Sequence, residues 1–334
     1  MTPTFSSDKA TTITIGNTDD NSRKRPFHRS YNIELLSGIL IVAAFAIIAL
    51  AAPLIAPPEE GVPPALLPKD GYSLIPLPPN ADHPLGTMRG QYDIFYGLIW
   101  GTRGAFRIGL IITLGRALIG VLIGLLAGYS GGLFEALAMR LTDAFLAFPM
   151  MTVILVMLAT TGDSTTPFYL LGGDQIDQVI ITTLIAFGWM PYARLIRGNV
   201  LIERSKAYIE AEISVGAAAP RLIFLHLLPN ASRGLLVMVA SDVGAMVSTT
   251  AALSFLGFSG TLSSRPVADW GHILSASRDF IIGMPGNAFD YWYTFIPCSL
   301  AILFFSIGWN LIGDGLRDAL DPRLNGRQAI KTKM

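Results

Sequence analysis

Six stretches of this chain are apolar for long enough, or nearly so, to cross a bilayer, and no other feature limits the fold as strongly. A spanning helix needs about 20 apolar residues, because roughly 30 Å of hydrocarbon is crossed at about 1.5 Å per residue. The stretches are 35–52, 108–129, 144–160, 179–196, 235–256 and 291–313. The third extends back toward Leu133 through a polar first turn or two, and Pro191 predicts a kink or an early stop in the fourth. Composition agrees, since 51% of the residues are hydrophobic and only 14% charged, against about 25% charged in soluble domains. The expected fold is an all-α membrane protein with six transmembrane helices.

Lys and Arg set the orientation. With both termini inside, the inner segments carry 17 basic residues and the outer ones 6, while Arg116 falls within a span. The split predicts a cytoplasmic N-terminus and a cytoplasmic C-terminus, the latter bearing Arg317, Arg323, Arg327, Lys331 and Lys333. The first 30 residues are polar, then basic, and read as a disordered tail. Ten of the 21 prolines lie between Pro53 and Pro84, which predicts an extended external loop there. A second external loop over 161–178 is acidic, and a third over 257–290 is rich in Gly, Pro and aromatics, with room for short interfacial helices.

Several function classes drop out. The net charge is zero, so no attraction to nucleic acid is expected. The single cysteine, Cys298, sits in an apolar run and reads as a small hydrophobe. His28, His83, His226 and His272 are far apart and suggest no zinc site. The sequence has no GxxxxGK[ST], no HExxH and no GxSxG. No cofactor, metal or catalytic residue is therefore expected, and any ATP-driven work must draw on another polypeptide.

The longest inner loop carries the most pattern. Ser205 is placed to cap a helix starting near Lys206. Tyr208, Ala211 and Val215 then share one face at helical spacing. Gly216 permits a left-handed turn. A second short helix over 220–227 has Pro220 in its first turn and is expected to end at Pro229. Such a loop is a rigid projection with a small apolar face, suited to a partner's groove.

Within it, Glu210-Ala-Glu-x3-Gly216-x11-Leu228-Pro229 resembles the EAA signature of bacterial ABC importer permeases. The likeness continues through Ala186-Phe-Gly-Trp-Met-Pro-Tyr-Ala-Arg-Leu-Ile-Arg-Gly198, Leu253-Ser-Phe-Leu-Gly257 and Asp269-Trp-Gly271. It extends to Asn310-Leu-Ile-Gly-Asp-Gly-Leu-Arg-Asp, His83-Pro-Leu-Gly-Thr87 and Gly128-Tyr-Ser-Gly-Gly132. The ordered set is similar to the dipeptide/oligopeptide/nickel branch, C-type subunit, over about residues 30–325. It departs at Glu212, where alanine is usual, at Thr250, where related chains often carry glutamate, and at Met88, where an acidic residue is usual.

The resemblance implies a type I importer permease in a bacterial or archaeal cytoplasmic membrane. Its expected organisation is a tail over 1–32, a first transmembrane helix over 33–55 and a Pro-rich external loop over 56–104. A transmembrane domain over 105–316 follows, with a cytoplasmic coupling loop over 197–230, and a tail over 317–334. It implies a homologous second permease subunit, two ATP-binding cassette ATPases and an extracytoplasmic solute-binding protein as partners, with a short peptide as cargo. Tyr208, Glu210, Ala211, Glu212, Gly216, Leu228 and Pro229 would form the ATPase-coupling element.

Inside the spans, Arg116 and Asp242 stand at depths where a charge costs about 2.5–3.5 kcal/mol on insertion scales. Together with Thr249 and Thr250 they are candidate pathway residues, and a direct Arg116–Asp242 contact is one way to reduce that cost. Gly120, Gly124 and Gly128 repeat every four residues, the small-xxx-small spacing of close helix packing. Trp270, Trp292 and Tyr293 near span ends read as interfacial anchors. Two rivals are weighed. A self-contained secondary transporter or channel predicts inverted repeats or broken helices in matching halves, of which the sequence shows no sign. A membrane enzyme needs convergent catalytic groups, and Asp143, Asp242 and Asp314 form no such set.

Overall fold

A computed structural model describes residues 31–161, 175–258, 267–283 and 288–320. The N-terminal tail, most of the second external loop and the basic residues from Arg323 onward lie outside the described residues. The chain is built from helices α1 (Tyr31–Ile55), α2 (Ile94–Ser130), α3 (Gly132–Leu146), α4 (Met150–Thr161), α5 (Gln175–Ala186) and α6 (Met190–Arg204). Short helices α7 (Ala207–Ser214), α8 (Ala219–Arg221) and α9 (Leu228–Ala231) follow, then α10 (Leu235–Phe255), α11 (Trp270–Arg278) and α12 (Trp292–Leu320). Two short strands, β1 (Thr87–Met88) and β2 (Tyr92–Asp93), pair antiparallel in front of α2.

Among the described residues, five helical spans are long and apolar enough to cross a membrane, or six if the bent pair α3–α4 is one span. The first, second, fifth and sixth expected stretches are continuous helices. The third is not, since α3 and α4 meet at 80°. Pro149 stands at the bend, where it supplies no N–H and restricts Phe148 to extended backbone. The fourth is interrupted at Phe187–Trp189, and Pro191 starts α6 in place of kinking one long helix. The two interruptions fall in consecutive spans. The one near Pro191 was expected from that proline, while the bend in the third was not, because a break is set by a few residues that hydropathy averages away.

The 37-residue α2 is about 55 Å long at about 1.5 Å per residue. It begins at Ile94, so its first turns lie within the stretch expected to be loop. Asp93 sets that start, accepting from Tyr96 N at 2.7 Å. The Pro-rich stretch before it folds into a compact cap. His83 Nδ1 lies 2.6 Å from Asp93 Oδ2, Leu77 N donates to Thr87 Oγ1 at 2.9 Å, and Leu66 bridges to Val267.

Beneath the cap lies an aromatic core. Phe305 packs edge-on to Phe45, Phe106 and Trp270, with centroids 5.5, 5.0 and 5.7 Å away. Trp270 is 1% exposed and donates to Leu98 O at 3.0 Å. Tyr293 is buried too and donates to Pro76 O at 3.1 Å. These two side chains are core residues, not interfacial anchors. The cap covers Tyr293, while Trp270, at the start of α11, is enclosed by α1, α2 and α12, which no local pattern announces. Trp292 stays 45% exposed.

The far half of α2 packs on α6 through its glycines. A Cβ at Gly120 would stand 2.4 Å from Tyr192 Cβ, and one at Gly124 2.4 Å from Ala193 O. At Gly128 it would meet Val200 at 2.8 Å. In lipid, helices gain little from apolar burial against each other, so close backbone approach supplies the attraction.

Candidate functional site

The segment between α6 and α10 folds into a knob at the Ser130 end of α2. Its anchor is Glu203, buried in the last turn of α6. The carboxylate accepts from Lys206 Nζ at 2.6 Å and from the Tyr208 hydroxyl at 3.0 Å. Asn230 Nδ2 reaches the Tyr208 oxygen at 3.4 Å and His226 O at 2.8 Å, and Arg233 donates to Asn230 Oδ1 at 2.8 Å. One run of polar bonds thus ties α6, α7 and the approach to α10 together. Asn199 adds a bond to Ala231 O at 2.7 Å.

Two local expectations are corrected here. Ser205 does not cap α7; its hydroxyl donates to Ile202 O at 2.9 Å, closing α6, and Lys206 holds the N-cap position of α7 without a side-chain capping bond. Pro229 does not end the second helix. The helical run from Ala219 continues through a π-turn at Leu222–Leu227 into α9, with Pro229 in the first turn of α9. There its missing N–H costs little.

Gly216 has φ +81°. Its N–H donates to Ile213 O at 3.0 Å and Ala217 N–H to Glu212 O at 3.0 Å. That pair of bonds is a Schellman closure, which needs a left-handed residue. A Cβ there would meet nothing within 4 Å, so backbone angle alone calls for glycine.

The turn leaves α7 with two faces. Ile209, 1% exposed, packs with Leu125, Ile196, Val200 and Leu227. On the other side Tyr208, Ala211 and Val215 are exposed, Val215 at 83%. Glu210 is exposed, whereas Glu212 turns back, its Oε1 3.7 Å from His226 Nε2. Burial of the hydroxyl, and the Glu203 carboxylate that accepts from it, push the Tyr208 phenol above its ordinary range.

Arginines on α6 fix the knob from behind. Arg197 Nε donates to Glu135 Oε1 at 2.7 Å, Arg194 pairs with Asp143, and Arg204 Nη1 donates to Tyr129 O at 2.8 Å.

The candidate pathway residues lie elsewhere, about 20 Å of helix back along α2. Arg116 Nη1 donates to both oxygens of Asp242 at 2.9 Å, and its Nε to Gly188 O at 2.8 Å. The Tyr192 hydroxyl donates to Asp242 Oδ2 at 2.9 Å. Thr249 and Thr250 do not join them. Thr249 bonds back to Ala245 O at 2.8 Å, and Thr250 to Met246 O at 3.1 Å, both on their own helix.

Glu203, Asn230, Gly188 and Tyr192 were not singled out from sequence. The i,i+3 spacing of Glu203 and Lys206 is the one local signal. Its importance comes from burial, which only the packing of α7 creates.

A sequence-family profile described as "Binding-protein-dependent transport system inner membrane component" matches residues 120–326. The chain is 31% identical over 287 residues to the dipeptide transport system permease protein DppC of Alkalihalophilus pseudofirmus, covering 86% of this chain and 85% of that one. It is 34% identical over 249 residues to the oligopeptide transport system permease protein OppC of Bacillus subtilis, covering 74% of each. To the glutathione transport system permease protein GsiD of Pectobacterium atrosepticum it is 34% identical over 246 residues, again 74% of each.

Proposed function

Because this chain belongs to the family of binding-protein-dependent transport system inner membrane components, we propose that it couples ATP hydrolysis in a partner to solute import through the knob at residues 206–230. The chain is a multi-pass membrane protein, and its family is a non-catalytic component of ABC importers. The observation that carries the coupling reading is the rigid mounting of α7. Its buried face is packed, its polar bonds run into α6, and Tyr208, Ala211 and Val215 face outward. A partner that pushes on this face moves α6 with it, because no flexible linker intervenes.

In this reading both termini and the knob are cytoplasmic and the chain crosses six times, as the distribution of Lys and Arg favours. The cap then faces outside, toward a solute-binding protein. A second, homologous permease completes the pathway, and two ATPase subunits bind beneath in a bacterial or archaeal cytoplasmic membrane. ATP binding closes the ATPase pair, and the knob carries that movement into the spans. The transporter behaves as a two-state scaffold biased by nucleotide on one side and by loaded binding protein on the other. The cargo is a short peptide, the substrate class named for DppC and OppC.

A pull-down of the tagged chain from native membranes in mild detergent tests the reading. Wild type is expected to bring down a second permease and an ATPase carrying GxxxxGK[ST]. Glu210→Ala and Gly216→Pro are expected to lose the ATPase while keeping the second permease. A wild-type chain that comes down alone as a stable oligomer defeats the reading.

A further inference from the structure

Arg116 sits where α2 changes partners. Toward Ile94, small residues of α2 face the cap half: a Cβ at Gly101 would meet Trp270 at 2.4 Å, and one at Gly109 would meet Val243 at 3.0 Å. Toward Ser130, Gly120, Gly124 and Gly128 face α6. Arg116 lies between these seams, 8% exposed. Its guanidinium bonds both α10, through Asp242, and the α5–α6 interruption, through Gly188 O. Tyr192, in the first turn of α6, meets the same carboxylate.

The interruption is shaped for this contact. The first backbone bond of α6 is Ala193 N to Trp189 O. The Gly188 carbonyl thus lies outside the ladder and takes the arginine in place of a backbone N–H. A Cβ at Gly188 would stand 2.1 Å from Arg116 Nε. A buried ion pair is a weak source of stability compared with apolar packing, and a charge at this depth is costly. What the pair supplies is registry, fixing α10, α2 and the interruption at one point by bonds with defined directions.

We propose that Arg116, Asp242 and Tyr192 are positioning residues for transport, forming the pivot on which α6 and the knob turn against the cap half, with Gly188 as the flexing point. The proposal rests on the coupling reading above. The unit that turns is rigid, α6 and the knob being joined by the Glu203 bonds. The place where it flexes is the one between α5 and α6 where the helical ladder stops.

Spin labels at Tyr72→Cys in the cap and Ile202→Cys at the end of α6, both exposed positions, report the turn. The distance is measured in the assembled complex in nanodiscs, without nucleotide and after trapping ATP with vanadate. The wild-type distance is expected to shift on trapping. With Arg116→Lys, which cannot fork to Asp242 and Gly188 O together, the distribution is expected to broaden and the shift to vanish while the complex still assembles. Tyr192→Phe, lacking one hydroxyl, is expected to show a reduced shift. If Arg116→Lys fails to assemble, the apolar pair Arg116→Met with Asp242→Leu replaces it. An assembled variant with the full wild-type shift overturns the pivot and leaves a merely structural pair. A wild-type complex that shows no shift overturns the coupling reading itself, which the variants then cannot rescue.

Discussion

The two ends of α2 are held by opposite means. At the cap end, large side chains fill the space, and their polar tips serve the backbone of a proline-rich segment that has few N–H donors of its own. Tyr96 donates to Pro64 O at 3.0 Å, Trp100 to Ala56 O at 2.9 Å and Tyr293 to Pro76 O at 3.1 Å. At the knob end, side chains are missing where helices meet, at Gly120, Gly124 and Gly128. The order there comes from carboxylates paired with Arg and Lys. The difference suits the two roles proposed. A packed cap resists deformation, while a knob held by polar bonds keeps its shape with an apolar face left free for a partner.

The comparison breaks most visibly under opposite substitutions. Trp270→Ala empties the centre of the cap core and removes the indole bond to Leu98 O. A loss of about 3–5 kcal/mol is expected, by analogy with buried Trp and Phe truncations, read as a lower melting temperature in detergent. Gly120→Ala adds a methyl where Tyr192 Cβ and Trp189 O already stand at 2.4 and 2.5 Å. It should destabilise by about 1–3 kcal/mol through overpacking. If Gly120→Ala melts like wild type, the glycine seam is not what closes the knob half.

Carboxylate deletions at the two ends sharpen the contrast. Asp93→Ala removes the cap of α2 and the partner of His83, a loss of about 1 kcal/mol. Glu203→Ala leaves Lys206 and the Tyr208 hydroxyl without their acceptor, a loss of similar size, about 1 kcal/mol. Salt separates them. The loss at Glu203 should shrink as ionic strength rises, because Lys206 is partly exposed and its attraction is screened. The loss at Asp93 should hold, since what it removes is mainly a bond to a backbone N–H. Equal salt dependence in the melting curves would remove the distinction.

How much of this was legible in the chain follows from the range of each interaction. The spans were legible because hydropathy over 20 residues is a local sum. The Gly120–Gly124–Gly128 seam and the turn at Gly216 were legible because spacing and glycine carry them. The bend at Pro149 was missed, since the apolar run continues across it without a change in hydropathy. Trp270 was read as interfacial because an aromatic near a span end is indistinguishable locally from one enclosed by helices distant in sequence. Glu203 was invisible for the same reason. A glutamate beside arginine and lysine looks solvated until α7 folds over it. The Arg116–Asp242 contact was reachable from cost alone, because two opposite charges deep in spans need partners, but the role of Gly188 was not.

The smallest expected effect on stability is also the most pointed. Val215→Ser changes a side chain that is 83% exposed. Surface substitutions of this kind leave stability nearly unchanged, so the melting temperature should match wild type. The proposed ATPase contact runs through the face that Val215 shares with Tyr208 and Ala211, and removing its apolar contact should lower ATPase capture several-fold. The matching change at the cap, Tyr72→Ser, also alters an exposed side chain. It should spare both melting and ATPase capture. A Val215→Ser chain that captures the ATPase as well as Tyr72→Ser would show that the outward face of α7 is only a solvated surface, and the knob would then need another partner to explain its mounting.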